Sequence, residues 1–587
     1  MSSGRSTEST QSMDEMWGEA AASSGDAVHG AWFQHDKYSL FVHWGLNSLL
    51  GGEWQGRNYY GIGEWIMHPK MAGIPVVEYR KLADRFDPQA FDAQAIVDLA
   101  KAAGMRCIVF TAKHHEGFAM YDSAVSDFTI TKASPLGRDV LGELAAACHA
   151  AGIRFGFYYS QFQDWIEPDG GGTKCELPPD FEPDFDRYFD GKVIPQVTEL
   201  LQNYGPVSVV WFDTPGGMSA SHSQRLIDLV HDLQPGCLIN SRVGNGLGDY
   251  STLGDMELPT RTPGPGLYEC IDTTNDSWAY SRHDSNWKSP SQLVRSLLRV
   301  IARRCSFMLN IGPDGEGRVP EPALSAIDGA GVWVRRYQEA VYGTTASPFP
   351  PMSWGDCTVK GTDLFVHVFD WPRSGQLRLA GLGTTVCAVS VLPTEATVRY
   401  RQDADLVTID LSQVDPDPIV TVLRLRCEES PQALYQDLQV DGEHPTHLPA
   451  EYATCSGVSL HPHRWMETFG EWKKAEQLEQ WFAAADAQAS WQVNLLTPGR
   501  YIVSIDYACT QESEGSEWEI SNGSETVRFY ALPSGQISGE RRMRYRCVDC
   551  GVITFASGGR QHMTMQPLTG TKPGDIGLRA LRLRPWL

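Results

Sequence analysis

An aspartate stands where an apolar run of the sequence gives way to turn residues. Asp213 follows Val-Val-Trp-Phe and precedes Thr-Pro-Gly-Gly. A carboxylate at the end of a buried strand could act as a nucleophile or as a general base. Aspartate also caps turns at such junctions. The local pattern leaves both interpretations of Asp213 open.

Two adjacent histidines, His114 and His115, end another apolar run, in Lys-His-His-Glu-Gly. Neutral imidazoles suit the hydroxyl groups of a polar ligand, because each ring carries one donor and one acceptor. Structural histidines are one alternative. A zinc site that includes His43, Glu64 and Asp213 is another, although the sequence contains no HxH or HExxH spacing. We therefore expect no metal.

The elements that position these residues alternate between short apolar strands and amphipathic helices. We predict strands over 39–45, 106–115, 154–160, 207–213, 237–242 and 307–313. We predict helices over 93–103, 140–151, 193–203, 224–233, 292–303 and 323–340. Such βα units form either a parallel barrel or a doubly wound sheet.

The polar residues favour the barrel. His43, His114, Tyr159, Asp213 and Arg242 each fall at the carboxyl end of a different predicted strand. A (β/α) barrel gathers such residues around one mouth. No glycine fingerprint of a nucleotide-binding sheet is present. We therefore predict an α/β chain with a TIM-like (β/α)-barrel catalytic domain followed by antiparallel β-sandwich domains.

The pattern divides the chain into five segments. They are a polar N-terminal segment (1–30), the barrel (31–347), a β-sandwich (348–430), a linker (431–450) and a jelly-roll β-sandwich (451–587). The last two β segments show short alternating runs punctuated by Gly, Pro and Asp.

Composition excludes several classes of partner. The net charge of -23 argues against nucleic acid and against anionic membrane surfaces. No stretch approaches the roughly 20 apolar residues that span a bilayer. The polar start lacks a signal pattern, and the 13 cysteines are scattered without a disulfide framework. We expect a cytoplasmic protein with a neutral substrate, and we leave open whether it forms a homo-oligomer.

Eight motifs, in order, resemble glycoside hydrolase family 29, the α-L-fucosidases. The resemblance covers about residues 32–348 and extends more loosely to 430. The motifs are Phe41-Val-His-Trp-Gly, Gly63-Glu-Trp, Lys113-His-His-Glu-Gly-Phe, Phe157-Tyr-Tyr-Ser, Val210-Trp-Phe-Asp, Ser277-Trp-Ala-Tyr, Asn286-Trp-Lys-Ser and Leu309-Asn-Ile-Gly-Pro.

The resemblance implies a retaining exo-glycosidase that needs no cofactor and releases terminal α-L-fucose from oligosaccharides or glycoconjugates. Asp213 matches the nucleophile. The positions that match sugar-binding residues are His43, Glu64, Trp65, His114, His115, Tyr159, Trp211, Arg242 and Trp278. Two alternatives remain: a lectin-like fucose-binding protein without turnover, and a metal-dependent barrel hydrolase.

The general acid is predicted less directly, because the family carries it in a variable loop before the Ser-Trp motif. Glu257 has about the expected separation from Trp278 and is the first choice. Asp255 and Glu269 are the alternatives. Ala279 stands where the family has glycine, and Tyr268 stands where it has tryptophan. The second departure puts the leaving-group preference in question.

The segment after residue 451 resembles jelly-roll carbohydrate-binding modules. Trp491 or Trp518 could form an exposed platform for a glycan. Buried core positions for both, and a purely structural or dimerising role for the segment, are the alternatives.

Overall fold

A computed structural model describes residues 30–466, 472–481, 487–535, 544–568 and 575–586. All but the last residue of the polar segment 1–30 lies outside the described residues. The chain divides into two compact units. One comprises Met1–Gly343 with Met466–Trp472, and the other comprises Thr344–Trp465 with Lys473–Leu587.

The first unit contains the predicted TIM-like barrel. Its strands are β1 (Tyr38–Val42), β2 (Glu53–Trp54), β3 (Arg57–Asn58), β4 (Cys107–Lys113), β5 (Arg154–Tyr159), β6 (Val209–Phe212), β7 (Leu238–Ile239), β8 (Ser251–Thr252), β9 (Tyr268–Thr273) and β10 (Ser306–Ile311). β2 and β3 form a small hairpin. The other eight form a parallel sheet in the order β7-β6-β5-β4-β1-β10-β9-β8. An isolated parallel bridge between Asn240 and Tyr250 links its two end strands.

Helices alternate with these strands. Their bounds are Ala31–Asp36, Asn47–Leu50, Val76–Arg80, Ala93–Ala103, Val140–Ala151, Phe185–Tyr188, Ile194–Asn203, Ala220–Leu233, Pro290–Ile301 and Glu321–Arg336. The ends of the longer helices have local causes. Asp92 accepts a hydrogen bond from the Ala95 amide at the start of one, and Gly104 ends it with a φ of 82°.

Strand alternation decides which side chains fill the barrel. Phe41, Val109, Tyr158, Trp211 and Met308 belong to one buried cluster inside the sheet. Their strand neighbours point outward toward the helices, because successive side chains of a strand alternate between its two faces. The residues at the carboxyl ends of the same strands are therefore fixed in direction by this packing.

The second unit consists mainly of antiparallel β-sheets. Its strands are β11 (Gly355–Lys360), β12 (Asp363–Val368), β13 (Gln376–Leu379), β14 (Val386–Val391), β15 (Ala396–Thr397), β16 (Tyr400–Asp403), β17 (Leu406–Asp410), β18 (Thr421–Cys427), β19 (Leu438–Val440), β20 (Thr446–Pro449), β21 (Thr454–Ser456), β22 (Ser459–Met466), β23 (Trp472–Glu479), β24 (Gln488–Leu495), β25 (Gly499–Cys509), β26 (Glu517–Ser521), β27 (Thr526–Tyr530), β28 (Arg546–Phe555), β29 (Gly559–Pro567) and β30 (Ile576–Pro585). The one parallel pair described in it joins β19 to β24. Two separate apolar cores lie within the unit.

The structure changes two of the sequence-based predictions for this region. The segment 431–450, expected to be a linker, contains β19 and β20, each paired with a strand of the second β block. Trp491 and Trp518 are fully buried in the apolar core formed by residues 438–583, so neither is an exposed platform. Alternation within β24 and β26 turns both rings inward.

Two further observations concern the chain as a whole. All thirteen cysteines lie in the described residues and are free thiols. Across the described ranges, no helix has the length and apolar character needed to cross a membrane.

Candidate active site

Asp213 lies directly after β6 at the mouth of the barrel and is 9% exposed. Its Oδ2 accepts a hydrogen bond of 3.0 Å from the Tyr158 hydroxyl. Its Oδ1 accepts one of 2.9 Å from Arg242. The next residue, Thr214, has a φ of 42°, a left-handed conformation that few non-glycine residues adopt. The turn therefore directs a carboxylate with two fixed donors into the mouth.

Arg242 connects Asp213 to a second carboxyl group. It lies in a short helical turn after β7, and its second terminal nitrogen is 2.6 Å from Asp255 Oδ1. Its Nε donates to Thr252 Oγ1 at 3.1 Å, which fixes the plane of the guanidinium. Because one planar guanidinium binds both carboxylates, Asp213 and Asp255 lie within the span of a single side chain.

Glu257, the first choice for the acid, has a different hydrogen-bond partner. Its Oε2 accepts a hydrogen bond of 3.1 Å from the amide of Gly254 in its own loop. Met256, between the two acids, has a φ of 57°. This left-handed residue reverses the chain, so Asp255 reaches Arg242 whereas Glu257 folds back on the loop. The geometry thus favours the alternative, Asp255, over Glu257 as the candidate acid.

The third candidate acid, Glu269, lies deeper in the barrel. Its Oε2 accepts a hydrogen bond of 2.9 Å from the Trp211 indole nitrogen. Burial raises its pKa to about 8, against a smaller opposing effect of that hydrogen bond. Glu269 therefore supports the underside of Trp211.

His114 and His115 line the mouth together. His115 Nδ1 is 2.6 Å from Ser160 Oγ, and its Nε2 is 3.7 Å from Asp213 Oδ2. Within the described chain, His114 Nδ1 and His115 Nε2 are buried and have no hydrogen-bond partner. Burial holds the pKa of His115 well below its usual range, so the ring is neutral. Buried polar atoms of this kind favour a ligand with hydroxyl groups.

His43 and Glu64 complete the polar part of the site. His43 Nδ1 is 2.9 Å from Asn310 Oδ1, and burial lowers its pKa to about 3. Glu64 accepts a hydrogen bond of 3.1 Å from the Ala279 amide, and burial raises its pKa to about 7. Both are almost fully buried. A neutral imidazole and a carboxyl that titrates near neutrality can each hold a sugar hydroxyl.

Tyr159, predicted to bind the sugar, faces away from the mouth, and the adjacent Tyr158 faces it. Its hydroxyl donates to Gln196 at 2.8 Å on the outer face of the barrel. Tyr158 points inward, where its ring stacks on His114 at 5.2 Å and on Trp211 at 5.7 Å. Side chains of β5 alternate, so only one of two adjacent tyrosines can reach the mouth.

The aromatic walls are Trp65 and Trp278. The Trp65 ring lies 5.2 Å from His115, and the Trp278 ring lies 5.5 Å from His43. Arg242 lies over the third indole, Trp211, at 4.7 Å. These rings border the polar atoms with flat apolar surface, which suits the apolar face of a sugar.

Three residues near the site escaped the sequence-based assignment. They are Tyr158, Gln161, which accepts a hydrogen bond of 2.9 Å from the Asp213 amide, and Asn310. An asparagine inside the apolar run Phe-Met-Leu-Asn-Ile was a usable signal, since buried polar side chains need partners. Gln161 carried no such signal.

The spacing of the His, Cys, Asp and Glu side chains bears on the metal-dependent alternative. Over the described ranges, no group of three or more His, Cys, Asp or Glu side chains is arranged so that it could hold a metal ion.

Comparisons with known proteins identify the family of the chain. The family model described as Alpha-L-fucosidase matches residues 5–339. Tissue alpha-L-fucosidase of Rattus norvegicus is 27% identical over 412 residues, which cover 66% of this chain and 86% of the relative.

Solved structures give the same result. The alpha-L-fucosidase from Vibrio sp. strain EJY3 is 27% identical, with a TM-score of 0.76, and the match covers 95% of this chain and 98% of that one. The alpha-L-fucosidase from Lactobacillus casei, solved with alpha-L-fucose and with Fuca(1,6)GlcNAc, is 43% identical. Its TM-score is 0.50, and the match covers 53% of this chain and 99% of that one. The chain therefore belongs to the α-L-fucosidase family.

Proposed function

We propose that the protein hydrolyses terminal α-L-fucose from fucosylated oligosaccharides or glycoconjugates by a retaining double displacement. The observation that carries the mechanism is the pair of carboxyl groups, Asp213 and Asp255, bound by the single guanidinium of Arg242. Retaining glycosidases need two carboxyl groups close together, one as nucleophile and one as acid and base.

In the first step, Asp213 Oδ attacks the anomeric carbon and the bond to the leaving oxygen breaks. Asp255 donates its proton to that oxygen. Burial raises the pKa of Asp255, Arg242 lowers it, and the charge of Asp213 raises it. A carboxyl group whose pKa is raised keeps its proton closer to neutral pH and so can act as an acid.

In the second step, Asp255 takes a proton from water, which attacks the anomeric carbon and releases Asp213. The same electrostatics assist this reversal of roles. Once Asp213 is esterified its negative charge is gone, so one of the influences that raise the pKa of Asp255 disappears. Asp255 is then a deprotonated base when a base is required.

The remaining residues would bind the fucosyl ring. The buried His115 Nε2, which makes no hydrogen bond within the described residues and lies beside Asp213, supports hydroxyl recognition, and Tyr158 holds Asp213 in place. The complex of the Lactobacillus casei enzyme with Fuca(1,6)GlcNAc supports a fucosylated glycan as the substrate class.

Turnover of an aryl α-L-fucoside tests the proposal. We expect release of the aryl group with saturation kinetics, and none from the matching aryl α-L-rhamnoside or β-D-galactoside. A protein that binds fucose saturably but releases no product would instead be lectin-like. A panel of α1,2-, α1,3-, α1,4- and α1,6-linked fucosides would then identify the preferred linkage.

We also propose that the protein works in the cytoplasm. The support is that all thirteen cysteines are free, including the exposed Cys387, Cys455 and Cys547. Exposed thiols persist in reducing compartments. Cell fractionation tests this, and recovery of the protein outside the cell with these thiols oxidised would contradict it.

A further inference from the structure

An exposed tryptophan lies at the end of β30 in the second unit. Trp586 is 49% exposed, and its amide donates a hydrogen bond of 2.9 Å to the Arg500 carbonyl. The Arg500 guanidinium lies 4.7 Å from the ring centroid. A cation over one face of an exposed indole is weakly attracted to the ring. Trp586 therefore combines a contact with Arg500 and apolar surface that remains in solvent.

The residues around Trp586 share the outer face of one sheet. Ile502 on β25 is paired with Arg584 on β30. Their neighbours Tyr501, Val503 and Leu583 point into the core. Since strand side chains alternate, Arg500, Ile502, Arg584 and Trp586 all project from the opposite face.

A cavity of about 470 Å³ opens on this face, and it has the size of a small-ligand site. Trp586, Pro585 and Ile502 provide its apolar lining, and Arg373, Glu443 and Arg584 provide its polar lining. Aromatic and aliphatic surface thus lies beside planar charged groups that can donate and accept hydrogen bonds.

The lining carries charges of both signs, from Arg373, Arg584 and Glu443. Arg584 is 2.9 Å from Asp549, which compensates its charge. Glu443 Oε2 accepts a hydrogen bond of 3.2 Å from the Ser374 amide, and the carboxylate lines the same cavity as the cationic Arg373. A site with both signs suits a ligand with many hydroxyl groups, because a hydroxyl group can donate to a carboxylate and accept from a guanidinium group.

We propose that this surface, defined by Trp586, Ile502, Arg373, Glu443 and Arg584, is a second glycan-binding site that takes a neutral pyranose unit. The C–H face of the pyranose packs on the Trp586 ring. Its hydroxyl groups bond to the guanidinium of Arg373 and to the carboxylate of Glu443. We expect the site to bind and not to cleave, since Glu443 is the one carboxyl-bearing residue among those that line it.

Affinity electrophoresis of the full chain tests this proposal. Native gels contain galactomannan, xyloglucan without fucose, or mixed-linkage β-glucan, which are neutral and offer no fucose to the barrel. We expect at least one polysaccharide to retard the protein. Trp586→Ala should lower the apparent association constant at least 10-fold, and Arg373→Ala should lower it by a smaller factor.

Tyr530→Ala is the matched control, because Tyr530 is an exposed aromatic of the same unit that does not line the cavity. It should migrate as the wild type does. Turnover of an aryl α-L-fucoside should be equal in the wild type and in both aromatic variants. That readout separates failure of this site from failure of the proposed function.

Several results would each overturn the proposal. One is a wild type that no neutral polysaccharide retards, and another is Trp586→Ala migration equal to the wild type. The third is stronger retardation by the sulfated polysaccharide carrageenan than by any neutral one. If circular dichroism shows that Trp586→Ala is unfolded, Arg373→Ala provides the test instead. Unchanged polysaccharide binding by Arg373→Ala would then overturn the proposal. Conversion of a dimer to a monomer by Trp586→Ala would identify the surface as a self-association site instead.

Discussion

The Tyr158 hydroxyl donates a hydrogen bond of 3.0 Å to Asp213 Oδ2, joining side chains at the ends of the adjacent strands β5 and β6. The phenol is fully buried and its ring stacks between His114 and Trp211. The position of the proposed nucleophile therefore depends on the packing of its neighbours as well as on its own turn.

Tyr158→Phe should lower kcat/KM for an aryl α-L-fucoside by roughly 10- to 100-fold, since a hydrogen bond to a charged group contributes about 1.5–3 kcal/mol. Tyr159→Phe is the control, because its hydroxyl bonds Gln196 on the outer face. It should keep near wild-type turnover with a small loss of stability. Equal losses of kcat/KM in the two variants would show that the inward position of Tyr158 has no special role.

The pH dependence of kcat/KM should report Asp255. An acid must be protonated to act, so the raised pKa of Asp255 extends activity toward higher pH and sets the alkaline limb of the profile. Asp255→Asn should remove that limb together with most activity on substrates with poor leaving groups. Glu257→Gln should keep the limb, and its loss in that variant would return the acid role to Glu257.

Glu269→Gln tests the buried carboxyl under Trp211. The folded pKa of about 8 exceeds the ordinary value of 4.5, so folding favours the protonated form. Stability should consequently fall as the pH rises from about 4.5 to about 8 and level off above that. Glutamine, which resembles the protonated acid, should reduce this fall. Thermal melting at pH 5 and pH 8 measures this loss of stability in the wild type and in Glu269→Gln. An equal loss in the two proteins would exclude Glu269 as its cause.

His115→Ala should lower kcat/KM by at least about 10-fold, because its Nε2 is one of the buried atoms offered to the ligand. His35→Ala is a suitable control, since that side chain is 62% exposed. Steady-state kinetics of both variants would measure the two values of kcat/KM. Wild-type kcat/KM in His115→Ala would remove this histidine from the fucose site.

The barrel could be predicted from the sequence because apolar strands alternate with amphipathic helices, some of which carry their own start and stop signals. The Ala93–Ala103 and Val140–Ala151 helices have the predicted bounds, each with an aspartate N-cap and a glycine at its end. The position of Asp213 at a strand end could be predicted as well, since an apolar run followed by turn residues marks such an end.

The direction of individual side chains was harder to predict. The adjacent Tyr158 and Tyr159 are chemically identical, and only the register of β5 against β4 and β6 decides which one faces inward. Likewise, the left-handed backbone of Met256 separates Asp255 from Glu257, and methionine gives no sign of that conformation. Trp491 and Trp518 could not be told from surface aromatics without the packing of the second core.

The configuration of azide adducts tests the roles of Asp213 and Asp255 most directly. With an aryl α-L-fucoside and sodium azide, Asp213→Gly should give β-L-fucosyl azide, because azide replaces the missing nucleophile and inverts the centre in one step. Asp255→Gly should give α-L-fucosyl azide, because azide attacks the fucosyl-Asp213 intermediate in place of base-activated water. An α product from Asp213→Gly, or no azide adduct from Asp255→Gly beside one from Glu257→Gly, would contradict the assignment.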